Sequence, residues 1–147
     1  METIRDLMVD DHRQCDTQFV AVEKALAEGD WETAVAAFAR FREVTLRHLA
    51  AEEATLFPAF EQRTGMVMGP TRVMRAEHDQ MRQLIDAAEE ALTARDAEEY
   101  SGTAETLLIM TQQHNMKEEN ILYPMCDQHL ADMMESFLPQ LAKEIKP

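Results

Sequence analysis

The sequence predicts an all-α protein: an antiparallel up-down-up-down four-helix bundle made from a duplicated helical hairpin, with a short C-terminal helix. The chain of 147 residues has only four glycines, and it is rich in Ala, Leu, Met, Glu and Arg, which favour helices. Apolar residues recur at alternating steps of three and four, the spacing of one helix face. In addition, an eleven-residue stretch occurs twice, which indicates a duplicated unit.

The repeated stretch begins at His48 and again at His114, 66 positions later. In both copies the histidine is followed, in order, by two glutamates, a leucine, an aromatic residue and a proline. His12 and His78 are separated by the same 66 positions. Two copies at so long a period indicate a duplicated hairpin rather than a solenoid.

The length suits one domain over residues 1–147. We place the two hairpin repeats at about residues 4–60 and 70–125. A shorter amphipathic pattern predicts a C-terminal helix at about residues 127–142, limited by Pro139. We expect this helix to cover one end of the bundle.

The first hairpin begins with a helix from about residue 4 to 28, with Thr3 as its N-cap and Gly29 as its end. The second helix runs from about residue 31 to 57, and Pro58 kinks or ends it because proline lacks a backbone N–H. The predicted inward positions are Met8, His12, Cys15, Phe19, Val22 and Leu26, then Val35, Phe38, Phe41, Thr45, His48, Glu52 and Thr55.

Residues 61–70 contain two glycines and a proline and predict the connection between the hairpins. The third helix runs from about residue 71 to 95. The fourth begins after Asp96, its N-cap, and ends near Pro124. The predicted inward positions are Met74, His78, Met81, Ile85, Ala88 and Leu92, then Ala104, Leu107, Thr111, His114, Glu118, Ile121 and Met125.

Polar residues interrupt each apolar stripe where the bundle core should be. They are His12, His48, Glu52, His78, His114 and Glu118. His48 and Glu52, four residues apart, share one helix face, and the second repeat has the same pair. Two buried carboxylates without a cationic partner would cost several kcal/mol or more, and no inward Lys or Arg is predicted nearby. Metal ions bound by carboxylates and neutral imidazoles remove that cost, so the sequence predicts a metal site.

The set of motifs resembles the hemerythrin-like family, the HHE cation-binding domain, over about residues 4–125. The resemblance implies a non-haem, carboxylate-bridged centre of two iron ions. One iron would bind His12 and His48, the other His78 and His114, and the bridges would be Glu52 and Glu118. Oxygen-carrying hemerythrins have a further histidine one turn before the position of His78, where this chain has Met74. A thioether is a poor ligand for such iron, so both ions keep open positions.

The resemblance implies a protein that binds or senses O₂, NO or iron, working with a redox or signalling partner protein. The alternative is a di-iron redox enzyme in nitrosative or oxidative stress defence or in repair of iron–sulfur centres. No inward tyrosine, lysine or further histidine is predicted at the site to donate protons, which disfavours an acid–base catalyst. Zinc or manganese is a third alternative, because the ligand types accept either ion.

Several neighbours of these residues are weaker candidates. We interpret Glu53 and Glu119 as solvated or as hydrogen-bond partners of the ligands, because each lies one residue past a predicted bridge. Asp11 and Glu77 directly precede ligand histidines; they are predicted to be surface charges, with a hydrogen bond to a ligand histidine as the alternative. Cys15 is predicted to pack in the core, with a redox role beside the metal as the alternative.

Charge and composition exclude several classes. The 28 acidic and 14 basic residues give a net charge of −14, which disfavours binding to nucleic acid or anionic membrane. No apolar run approaches the roughly 18 residues of a membrane span, and the first 25 residues contain no secretory signal. Two cysteines are too few for a disulfide scaffold. We expect a cytoplasmic protein and a surface position for His129, which has no partner in the repeat.

Overall fold

A computed structural model describes residues 2–146 as a bundle of helices, without strands in that range. This confirms the all-α prediction. None of these helices is long and apolar enough to cross a lipid bilayer. The α-helices are α1 (Ile4–Ala27), α2 (Trp31–Ala51), α3 (Phe57–Thr64), α4 (Pro70–Thr93), α5 (Ala97–Lys117), α6 (Tyr123–His129) and α7 (Met134–Ile145).

The helices pack in the predicted pairs. Helix α1 lies along α2, and α4 lies along α5. Helix α2 also contacts α4, and α6 contacts α1, so the two hairpins meet in one bundle. The short connections within each hairpin favour antiparallel neighbours, and the up-down-up-down order stays a prediction.

The turns inside the two hairpins follow the same backbone course with different residues. Gly29 has φ of 72°, and Arg95, 66 positions later, has φ of 54°. Next in the chain are Asp30 and Asp96, which donate their N–H groups to carbonyls five residues earlier. Their carboxylates then cap α2 and α5, and the cap at Asp96 confirms its prediction. Only the first turn has the residue that tolerates positive φ without strain.

The helical path continues past Pro58 and Pro124, which corrects the prediction that Pro124 ends its helix and leaves, of the two alternatives at Pro58, the kink. One turn of π-helix, Glu52–Leu56, joins α2 to α3, and another, Glu118–Leu122, joins α5 to α6. The residue after each turn donates its N–H to the carbonyl five residues earlier. This wider turn carries the chain past a proline whose missing N–H and bulky ring would break an α-helical turn.

Each π turn also changes which residues face inward. Thr55 and Ile121 were predicted to be inward, but Ile121 is 56% exposed. The next residues, Leu56 and Leu122, are buried instead. Because a π turn adds one residue, the inward face beyond it moves one position along the sequence. The same shift brings Tyr123 to the interior.

Two apolar clusters fill the bundle. One surrounds Phe38 and Ile85 and reaches Leu49 and Leu107. The predicted core residue Val35 is not part of it and is 48% exposed. Along the helices, the six polar residues of the predicted site fall between this cluster and the second one.

The second cluster includes Met8, Phe57 and Tyr123. Helix α7 contributes Phe137, Leu141 and Ile145 to it, so this helix covers that end of the bundle as predicted. Helix α7 begins about seven residues beyond the predicted start near residue 127, because α6 continues to His129 and a 3₁₀ turn at Ala131–Met133 follows it. Pro139 lies inside α7 rather than limiting it.

Candidate metal centre

The structure brings the six predicted residues into one buried cluster. Each of them is at most 5% exposed. Side-chain atoms of Glu52, His78, His114 and Glu118 lie within 4.8 Å of one another. Atoms of His12, His48 and Glu118 form a second group, of three residues, within the same distance of 4.8 Å. Glu118 belongs to both groups, so the two are contiguous.

The four imidazoles form two pairs. The ring centroids of His12 and His48 are 4.6 Å apart, and those of His78 and His114 are 4.9 Å apart. Each pair combines one histidine from the first helix of a repeat with one from the second. The pairing therefore follows the duplication.

The two glutamates each span both pairs. Glu52 places Oε2 3.6 Å from Nε2 of His48 and Oε1 3.1 Å from Nε2 of His78. Glu118 Oε1 lies 3.2 Å from Nε2 of one histidine in each pair. Bridging carboxylates between two metal ions require this position.

Each imidazole has Nε2 at the centre and Nδ1 at an outer carboxylate. The Nδ1 contacts are His12 to Glu119 at 2.7 Å, His48 to Asp11 at 2.7 Å, His78 to Glu53 at 2.7 Å and His114 to Glu77 at 2.8 Å. When Nδ1–H donates to the carboxylate, the Nε2 lone pair is free to bind a cation. All four imidazoles are therefore oriented for metal binding in the same way.

The outer carboxylates correct one prediction. Asp11 and Glu77 are not surface charges, because each contacts a histidine of the cluster, and Asp11 is only 3% exposed. The interpretation of Glu53 and Glu119 as partners of the ligands is confirmed by their histidine contacts. The signal that identifies Asp11 was in the sequence: it lies 66 positions before Glu77 and beside a repeated histidine.

Tyr123 is the residue that sequence reasoning missed. Its hydroxyl lies 2.7 Å from Oε2 of Glu52 and 2.9 Å from Oε1 of Glu118. It is also 3.2 Å from Nε2 of His12 and 3.3 Å from Nε2 of His48. Burial and the two carboxylates raise the pKa of Tyr123 well above its ordinary value. The hydroxyl therefore stays protonated, and the predicted absence of an inward proton donor is wrong.

Buried atoms without hydrogen-bond partners test whether a cation fits. They include Oε1 of Glu52, Oε2 of Glu118, and Nε2 of His78 and His114. The contact of 3.1 Å between His78 and Glu52 lacks hydrogen-bond geometry. Buried polar atoms are costly without a partner, and imidazole nitrogen with carboxylate oxygen is a donor set that divalent cations accept. The cluster therefore suits a metal ion.

Protonated imidazoles balance these carboxylates when no cation does. Burial lowers the pKa of His114, but the carboxylates of Glu118, Glu52 and Glu77 together outweigh burial and raise it to about 9. Burial is likewise outweighed at His48, whose pKa lies well above its ordinary value because of Glu52 and Asp11. The pKa of Glu52 is held well below its usual range, since the imidazoles oppose the effect of burial. A metal ion therefore competes with protons at this site.

A cavity of about 30 Å³ lies against the centre. His12, His48 and His114 form one wall, and apolar side chains such as Met81 and Leu107 form much of the rest. A cavity that holds a single water molecule needs roughly 10–15 Å³ of such space. The cavity therefore has room for a ligand of two atoms, in mostly apolar surroundings.

Two further candidates lie outside the cluster. Met74, in place of an additional histidine, is 3% exposed and belongs to the second apolar cluster with Phe57. His129 is half-buried rather than on the surface, with its ring edge-on to Phe60 at 5.9 Å.

Residues 3–126 match the family described as the Hemerythrin HHE cation binding domain. The match covers both repeats and most of the 147 residues. No curated protein and no solved structure matches the chain.

Proposed function

Because the chain belongs to the hemerythrin family of HHE cation-binding domains, we propose that it is a non-haem di-iron protein that binds or senses O₂ or NO. The observation that carries the proposal is the arrangement of four inward Nε2 atoms around two carboxylates that each span both histidine pairs. The proposed ligands are His12, His48, Glu52, His78, His114 and Glu118.

The pairing of the imidazoles supports a division of these proposed ligands between two ions. His12 and His48 would bind one iron, and His78 and His114 the other, since those imidazoles are neighbours. Two histidines and two shared carboxylates leave each ion short of six ligands. The adjoining cavity supports a small ligand at an open position. When bound, the iron pair would supply reversible binding of a diatomic molecule and one-electron redox chemistry.

A redox enzyme is the second candidate, and Tyr123 favours it. Its hydroxyl donates to the Glu52 carboxylate and lies beside two imidazoles. A proton donor within hydrogen-bond reach is what reduction of a bound small molecule requires. In either function, a partner protein would carry electrons or the signal. If the protein senses iron itself, the fraction of centres that hold iron would be the signal for iron availability.

Metal content tests the site. We expect two ions in each chain of the protein purified from iron-supplied cells, measured by elemental analysis. Glu52→Ala and His114→Ala should lower the content to one ion or fewer, because each removes a ligand and leaves other buried polar atoms unpaired. His129→Ala is the matched control and should keep full occupancy. Full occupancy in both ligand variants would overturn the assignment.

The optical spectrum of the ferrous protein, before and after addition of O₂ or NO, separates the two functions. A reversible adduct supports a carrier or sensor. Rapid irreversible oxidation supports the enzyme. Zinc or manganese alone, with no iron retained from cells supplied with all three metals, would contradict both.

A further inference from the structure

Thr45, one of the residues that line the mostly apolar cavity beside the centre, has a buried hydroxyl without a hydrogen-bond partner. Thr45 is 6% exposed and lines the cavity together with His48. Its Oγ1 atom is buried and makes no hydrogen bond. Thr45 and His48 are three residues apart on α2, so their side chains are neighbours on one helix face.

A threonine inside a helix normally satisfies its hydroxyl at the carbonyl four residues earlier. Thr17, Thr64 and Thr106 in this chain do so, at 3.0, 2.7 and 3.2 Å. Thr45 does not, although α2 is regular at this position. Leaving a buried hydroxyl unpaired costs about 1–3 kcal/mol. Helix geometry therefore does not explain the state of this side chain.

Within residues 2–146, no other group accepts this proton. The Cys15 thiol also lines the cavity, and its pKa is raised by burial, so it remains protonated. The nearby Thr45 hydroxyl lowers that pKa, but the two groups make no hydrogen bond of normal geometry. A thiol is also a weak acceptor. The Thr45 hydroxyl therefore has no acceptor among the described residues, although its residue lines the cavity.

We propose that Thr45 is a specificity-determining residue that donates a hydrogen bond to the outer atom of a diatomic ligand held in the cavity. This inference rests on the proposed function. It would favour ligands that develop negative charge on that atom, such as O₂ and NO, over ligands that do not.

The second repeat provides a matched comparison. Thr111 lies 66 positions after Thr45 and lines the same cavity, but it is half-buried. A half-exposed hydroxyl has water as an alternative partner. Thr111→Val should therefore change ligand binding much less than Thr45→Val.

The test uses NO as the probe on the ferrous protein. Thr45→Val should speed NO dissociation about threefold to tenfold, the effect of one lost hydrogen bond, and should raise the N–O stretching frequency. Thr45→Ser should restore both values toward wild type. Thr111→Val should change the rate less than about twofold.

A metal-free measurement checks the same hydroxyl. Thr45→Val should unfold at a higher urea concentration than wild type in the presence of a chelator, because it removes an unpaired buried polar group. A lower midpoint would mean that the hydroxyl already has a partner and would overturn the proposal.

The possible failures are distinguishable. If wild type forms an NO adduct but Thr45→Val leaves the dissociation rate and the stretching frequency unchanged, the Thr45 proposal alone fails. If the iron-loaded wild-type protein forms no adduct with NO or O₂, the proposed function fails, and this inference fails with it.

Discussion

The two halves of the bundle hold their imidazoles in the same way but differ in the aromatic residue that lies beside them. Phe57 of the first repeat stacks on His78 of the second, with ring centroids 5.5 Å apart. Tyr123 of the second repeat lies beside His12 of the first at 5.8 Å and adds a hydroxyl that reaches both Glu52 and Glu118. One oxygen atom therefore makes the two proposed metal positions chemically different within a nearly symmetric scaffold.

The carboxylates behind the imidazoles differ as well. Asp11 is buried behind His48. Its counterpart Glu77 is partly exposed, and Lys117 shares its charge. A buried carboxylate with one partner acts on its histidine with less screening than a solvated one. The duplication thus sets the positions of the proposed ligands, while the surroundings make the halves unequal.

The largest expected effect is a change in the stability of the metal-free protein with pH, which comes from protons held by one histidine in each half. The raised pKa values of His114 (about 9) and His48 stabilise the metal-free protein fully below the unfolded value of about 6.5, and this stability is lost as the pH rises through the folded values. His114 alone corresponds to about 3 kcal/mol. Urea unfolding with chelator should therefore show stability falling between pH 6.5 and 9.

Histidine NMR titration would assign that loss to each half separately. We expect the signals of His48 and His114 to titrate well above the ordinary range. Metal binding at neutral pH should also release protons, because the ions displace them. Stability that rises with pH over this range, or metal uptake without proton release, would contradict the assignment.

The next largest effect is a loss of metal affinity when the outer carboxylates are changed. Removing a group that orients a metal-binding histidine typically lowers metal affinity about 10- to 100-fold. Asp11→Asn should lie near the upper end, because its carboxylate is buried, and Glu77→Gln near the lower end. Competition with a chelator measures both. Asp10→Asn is the control, since Asp10 pairs with Lys146 instead of a histidine. Equal losses in both variants would remove this difference between the halves.

Tyr123→Phe gives both repeats a phenylalanine beside the histidines. It removes the hydrogen bond to Glu52 and should destabilise the metal-free protein by about 1–2 kcal/mol. Tyr100→Phe is a matched control, because the Tyr100 hydroxyl is also buried but has no partner. That variant should be neutral or more stable. Urea unfolding with chelator compares them, and similar losses in both would show that the Tyr123 contact contributes little.

The sequence predicted the cluster of proposed ligands because the repeated spacing of histidine and glutamate can be recognised without a structure. It did not predict Tyr123 inside the site, because the prediction assumed an uninterrupted α-helical period of 3.6 residues per turn beyond Glu118. Two π turns shift that period by one position. Their presence depends on how the chain accommodates Pro58 and Pro124 against the rest of the bundle, which local propensity does not encode.

The surface position predicted for Asp11 was wrong for a different reason. A carboxylate is usually exposed, and only the three-dimensional pairing of α1 with α2 shows that this one faces His48. The spacing of 66 residues linked Asp11 with Glu77 in the same way as it linked the ligands. Applying the repeat to the acidic residues as well as to the histidines would have identified the pair.

The smallest expected effect compares the two hairpin turns, far from the metal centre. Arg95 adopts the left-handed conformation that Gly29 adopts in the first repeat. Arg95→Gly should stabilise the protein by about 0.5–1 kcal/mol, since it removes a steric penalty of about 1–2 kcal/mol but frees the unfolded chain. Gly29→Ala should destabilise by about 1 kcal/mol for the same steric reason.

A Cβ atom on Gly29 would meet no atom within 4 Å, so that variant reports the backbone conformation alone. Thermal unfolding of the metal-loaded protein is the appropriate measurement, with metal content unchanged in both variants because the turns do not contact the ligands. A loss of stability in Arg95→Gly would mean that the arginine side chain offsets its own strain. In that case the halves would differ in how each turn is stabilised, as they differ at the centre.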